Sequence, residues 1–159
     1  MPPRSKRTQL SNILSLLSKI KPEGTTDFKH SMGQLAAMLK NRSLLMVFSD
    51  FLVDEQETLD ALYRIRHGGH DVILFHVLDE AEVSFPFRGL YKMKDPETGE
   101  EMKIDGDGFR NDYQKQIQEF RDGLAKECRK SGIDYVPLDT SMQFDRALME
   151  YLLSRRARG

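Results

Sequence analysis

Two short apolar runs constrain the fold more than any other feature of this chain. Leu44 to Phe48, inside Ser43–Ser49, and Val72 to Phe75, inside Asp71–Val77, contain no polar residue. They are too short for a helix and lack the alternation of a strand with one wet face, so they read as strands covered on both faces, as in a parallel sheet. Between them a helix opens at Asp54, runs through Leu59, Leu62 and Ile65 at helical spacing, and closes at Gly68-Gly69. Strand, helix, strand is the right-handed crossover unit.

The remaining segments extend that pattern. Leu10, Ile13, Leu14, Leu17 and Ile20 form the apolar stripe of a helix over Thr8–Ile20, stopped by Pro22. The loop Lys21–Asp27 follows, and Thr26 or Asp27 can cap a second helix to about Lys40, with Phe28, Met32, Leu35 and Leu39 on one face. Phe85 to Ile104 carries two turn signals, Asp95-Pro96 and Thr98-Gly99, and reads as an inserted hairpin. A helix resumes after Gly108 and ends at Gly132, Ile133–Leu138 is a third strand, and Phe144–Leu153 a closing helix. We expect one three-layer α/β domain over residues 1–159 with a parallel sheet, flanked by basic tails at 1–6 and 154–159.

Composition excludes several classes of protein. The chain has 159 residues, 39% of them hydrophobic, which suffices for one core. A formal net charge of -1 lacks the basic face that counterion release requires, so no nucleic-acid partner is expected. No apolar run approaches membrane-spanning length and no signal peptide is apparent. A lone cysteine, Cys128, forms no internal disulfide, which suits the cytoplasm; its place beside Leu124 on a helix face reads as a small buried hydrophobe.

Chemistry is expected at the carboxyl ends of the strands, where parallel sheets collect ligands: Ser49-Asp50, Leu78-Asp79 and Asp139-Thr140-Ser141. Asp50 offers a hard-cation oxygen, and the loop Gly24-Thr25-Thr26-Asp27 offers hydroxyls and a second carboxylate. From spacing alone the same residues read sooner as helix caps and a turn. His67, His70 and His76 straddle a helix end, a turn and a strand, and point apart as ligands. Asp105-Gly106-Asp107-Gly108 lacks the oxygen donors of a calcium loop at its fifth and twelfth positions, Phe109 and Gln116, and reads as a turn and helix start. No nucleophile elbow, phosphate-binding loop or dinucleotide fingerprint is present. Phe85, Phe87, Leu90, Tyr91 and Met93 load the hairpin with apolar surface, either to pack on the domain's own helices or to dock a protein, with Phe85, Phe87 and Tyr91 as candidate partner-binding residues.

Three segments together carry a resemblance: Pro22–Phe28, Val47-Phe48-Ser49-Asp50-Phe51-Leu52, and Gly69–Asp79. They resemble the C-terminal part of von Willebrand factor A domains, and more narrowly the bacterial domain of unknown function fifty-eight. Phe85-Pro86-Phe87 and Asp134–Ser141 fit the narrower family, extending the likeness over nearly the whole chain. In von Willebrand A domains a metal-ion-dependent adhesion site joins a D-x-S-x-S loop to a later Thr and Asp. The resemblance implies Thr26 as the Thr, with Thr25 a second register, and Asp50 as the Asp, with Ser49 and Asp27 as accessories and magnesium or manganese as the ion.

The chain departs from that pattern because it has no D-x-S-x-S, so the metal site is expected to be incomplete and any ion weak or absent. The closest imitation, Asp139-Thr140-Ser141-Met142-Gln143, follows the third strand, about 10 Å from Asp50 at two inter-strand spacings, too far to share one ion. Without the strands that carry the motif, the edge Leu44–Phe48 stays open to a second copy or a partner, unless the first helix covers it. The resemblance implies a non-catalytic interaction module that assists MoxR-type AAA+ ATPases. The residues alone also admit a small metal-dependent hydrolase using Asp27, Asp50 and Asp79, or a folded remnant without a partner site.

Overall fold

The computed structural model describes residues 7–21, 27–52, 55–94, 99–143, 145, 148–149, 151–153 and 155. Helix α1 (Arg7–Leu17) precedes α2 (Phe28–Met38), and strand β1 (Leu44–Ser49) leads through α3 (Glu55–His67) to β2 (Asp71–Leu78). A short α4 (Glu80–Ser84), a hairpin of β3 (Leu90–Lys94) and β4 (Glu101–Asp105), and the long α5 (Gly106–Lys130) then lead to β5 (Asp134–Asp139). Residues 145, 148, 149, 151–153 and 155 are helical, where the closing helix was expected.

The sheet has the order β1-β2-β5, with every pairing parallel and Phe48 in register with Phe75, and Leu74 with Tyr135. Because the order advances in one direction, right-handed crossovers place α3 and α5 on the same face. There Leu59, Leu62 and Ile65 of α3 and Leu124 and Cys128 of α5 close over Val47, Val72 and Leu74, with Phe28, Met32 and Leu39 at the margin. On the opposite face Ile73, Phe75 and Leu138 are covered by Tyr151 and Leu148 of the closing segment. Helices on both faces of a parallel sheet make a three-layer α/β domain, and the hairpin stands as a separate antiparallel pair, both as expected.

The second face is only partly covered. Leu44, Met46 and Phe48 point to it and remain 54%, 47% and 50% exposed, so β1 is not buried on both sides as its apolar run suggested. The reason is its position: β1 lies at one edge of the sheet, and β2 is its one extensive neighbour among the described elements. Nor does α1 lie over it. The apolar stripe of α1 is itself exposed at Leu10, Ile13, Leu14 and Leu17.

Aromatic packing joins the hairpin to α5. Phe85 is 3% exposed although its φ of 44° is left-handed. That conformation costs a non-glycine residue about 1–2 kcal/mol, whereas burying a Phe side chain stabilises by about 1.5–3 kcal/mol, before ring contacts are counted. Phe87, Phe109 and Tyr113 all lie within 5.8 Å of its ring centroid. Packing therefore outweighs the backbone cost.

Candidate functional site at the strand ends

At the carboxyl end of β1 the chain turns sharply. Ser49 Oγ accepts from the Phe51 amide at 3.1 Å, Asp50 Oδ1 accepts from the Leu52 amide at 3.3 Å, and Phe51 adopts a left-handed φ of 54° that drives its ring into the core. The Phe28 ring meets Phe51 edge-on at 6.2 Å, so the start of α2 is fastened beside Asp50. Asp27 caps α2 by accepting from the His30 amide at 2.8 Å. Thr25 and Thr26 lie outside the described residues.

His76 holds this turn from below. It is 1% exposed, ringed by Phe51, Phe120 and Tyr135. Its Nε2 lies 3.0 Å from the Asp50 carbonyl and its Nδ1 2.8 Å from the Tyr135 hydroxyl. A carbonyl only accepts, so Nε2 carries the proton, Nδ1 is the acceptor, and Tyr135 donates. Burial pushes the imidazole below its ordinary pKa, opposed by the Asp50 carbonyl bond and carboxylate and aided by Arg121. The sequence marked His76 only as a poor metal ligand; its neighbours in register show it joining all three strands.

The other strand ends are tied up in caps. Asp79 accepts from the Ala81 amide at 2.9 Å and from Thr140 Oγ1 at 3.2 Å, while Glu82 reaches back to the Asp79 amide at 2.7 Å, closing a capping box on α4. Thr140 Oγ1 also accepts from the Glu80 amide. Asp139 accepts from both the amide and the hydroxyl of Ser141. The helix α4 was not foreseen, though Asp79 followed at three residues by Glu82 was its legible signal.

Among the described residues no three His, Cys, Asp or Glu side chains gather as a metal-binding group. Asp27, Asp50 and Asp79 thus do not converge as a catalytic trio. The described donors at this end, Asp50 and Ser49, already serve the local turn and do not by themselves form a resident metal cage. His67 contacts the Tyr63 carbonyl, and His70 accepts from the Ser43 amide, so the three histidines do point apart. Asp105 caps α5 through the Asp107 amide, as a helix start requires.

In the hairpin, Phe85 is core and Phe87 half-buried, while Leu90, Tyr91 and Met102 present outward apolar surface. The base is fixed by Arg110 donating to the Phe87 carbonyl at 3.0 Å and Gln114 to the Ser84 carbonyl at 2.7 Å. A groove between α2 and α3 encloses only about 150 Å³ and is spanned by the Lys29–Glu57 ion pair at 2.9 Å, below the size of a ligand pocket.

Fold and strand-end geometry together define a three-layer α/β domain whose sheet, among the described residues, has β1 and β5 at its edges. Residues 1–123 match the family described as "Protein of unknown function DUF58", and the chain belongs to that family. The match ends inside α5, before β5. No curated protein and no solved structure matches the chain. No helix among the described residues is long and apolar enough to cross a membrane.

Proposed function

We propose that this chain is a non-catalytic protein–protein interaction module of von Willebrand A type, working in the cytoplasm with a MoxR-type AAA+ ATPase in the assembly of other proteins. The observation that carries the reading is the exposed apolar edge of β1, where Leu44, Met46 and Phe48 stand about half exposed on a strand that pairs, among the described residues, with β2 on one side. Tyr91 and Leu90 of the hairpin add a second apolar contact surface. The non-catalytic part is supported by the carboxylates of Asp79 and Asp139, which are engaged by backbone amides and hydroxyls. Thr26 and Asp50 are in this reading remnants of an adhesion site, and magnesium or manganese is held weakly there.

The test is direct binding of the 159-residue chain to the MoxR-type ATPase of the same genome, by surface-immobilised titration. Saturable binding that Met46→Lys abolishes supports the module, and no binding up to the solubility limit sinks the ATPase assignment. Met46 is 47% exposed, so its replacement leaves the core intact, which circular dichroism checks.

A further inference from the structure

The segment around the edge strand β1 is complementary to its own reverse. Arg42-Ser43-Leu44-Leu45-Met46-Val47-Phe48-Ser49-Asp50 is, by residue class, positive, serine, five apolar residues, serine, negative. We propose that two copies of this chain pair antiparallel through β1, with a two-fold axis at Met46, and so join two three-stranded sheets into one of six strands. The inference rests on the interaction-module reading and names a partner for its edge.

In that register Met46 lies opposite itself, Leu45 opposite Val47 of the second copy, Leu44 opposite Phe48, Ser43 opposite Ser49, and Arg42 opposite Asp50. Directly opposed residues in an antiparallel pair share a face and sit close enough to interact. Leu44, Met46 and Phe48 of both copies therefore merge into one apolar band on the half-covered face, continuous through the stacked Phe48–Phe75 rings, whose centroids are 4.5 Å apart. Sliding the pairing by one residue would send these side chains and their partners to opposite faces.

Charge fixes the same register. Arg42 is free to turn to the second copy's Asp50: its side chain is 77% exposed, its contact to Asp71 is a long 3.5 Å, and Asp71 keeps Arg155 at the same distance. Asp50 is exposed at the strand end. Two such Arg42–Asp50 pairs, one at each end, reward the two-fold arrangement, whereas a parallel arrangement in register would oppose like charges. The devices that protect edges elsewhere are missing, since β1 holds no Lys, Pro or other charged residue.

Sedimentation velocity of the full chain from micromolar to millimolar concentration, with three variants, tests this. Wild type should pass from monomer to dimer. Arg42→Asp, which opposes two carboxylates at each end, should weaken dimerisation about tenfold or more at low salt, and Arg42→Asp combined with Asp50→Arg should restore it. Met46→Cys should form a disulfide dimer on oxidation, because opposed Cα atoms at about 5 Å lie within disulfide range. Leu44→Cys should not, as its two copies lie about 14 Å apart along the strand. The buried Cys128 does not compete. A chain monomeric throughout, or one that cross-links at residue 44 as readily as at 46, overturns the inference. If that monomer still binds the ATPase and Met46→Lys still blocks it, the module reading stands and the edge takes a foreign strand; if neither occurs, both fall.

Discussion

At the residue scale the buried polar side chains make the sharpest predictions. His76 donates to the Asp50 carbonyl and accepts from Tyr135, so His76→Leu strands both partners and should cost about 3 kcal/mol, measured by urea unfolding. Its pKa also fixes a pH dependence. The folded value lies below the ordinary 6.5 because burial, aided by Arg121, outweighs the Asp50 carbonyl and carboxylate. Between those two values the unfolded chain binds a proton that the folded chain refuses, so stability rises with pH. His76 thus contributes fully above about pH 6.5 and loses that contribution as the pH falls toward its folded value, and His76→Leu should flatten this part of the acid limb. Thr58 is the opposite case. It is 1% exposed and its Oγ1 has no hydrogen-bond partner among the described residues. Thr58→Val keeps the shape and removes a desolvated hydroxyl, so it should stabilise by about 1 kcal/mol in the same assay.

At the scale of elements, the join between hairpin and α5 depends on a residue without a side chain. A Cβ on Gly106 would sit 2.7 Å from the Phe87 carbonyl oxygen and 2.9 Å from its carbon, both backbone atoms that cannot step aside. The Gly106 amide also donates to the Gly89 carbonyl at 2.7 Å. Gly106→Ala should therefore cost about 1–3 kcal/mol and weaken the near-ultraviolet circular dichroism of the Phe85–Tyr113 cluster, while Gly123→Ala, with nothing within 4 Å, should not. The same segment shows what the sequence carried. The helices other than α4, the three parallel strands and the hairpin were readable, because apolar period and turn residues are local signals. The cap role of Asp27 was readable too, and so was the helix start at Asp105–Gly108. What escaped was whatever depends on register: His76 bridging to Asp50 and Tyr135, Thr140 bonding to Asp79, and Phe85 buried in a left-handed turn. The apolar run of β1 misled for a related reason, since a strand at the sheet edge can be as apolar as a central one while one face stays wet.

At the scale of the whole molecule, the resemblance to metal-binding adhesion domains meets a strand-end surface whose described oxygens are few and already engaged. Thermal unfolding weighs the two, because a ligand that binds only the folded chain raises stability by RT ln(1 + [L]/Kd). At a magnesium concentration equal to its Kd, an ion held weakly at Asp50 adds RT ln 2, about 0.4 kcal/mol. For a chain of this length that is a rise of about 1–2 °C in Tm. We therefore expect magnesium or manganese to move Tm by no more than this, and Asp50→Ala to have a titration nearly superimposable on wild type. A saturating rise of about 5 °C or more at millimolar metal, abolished by Asp50→Ala, would mean that Asp50 and the segment holding Thr26 form a working ion site without a D-x-S-x-S loop. In that case the second copy's Arg42 and the ion would compete for the same carboxylate, and adding magnesium should shift the sedimentation equilibrium toward monomer. With a weak ion the dimer equilibrium should respond to magnesium only through ionic strength, as an equal ionic strength of sodium chloride would reveal.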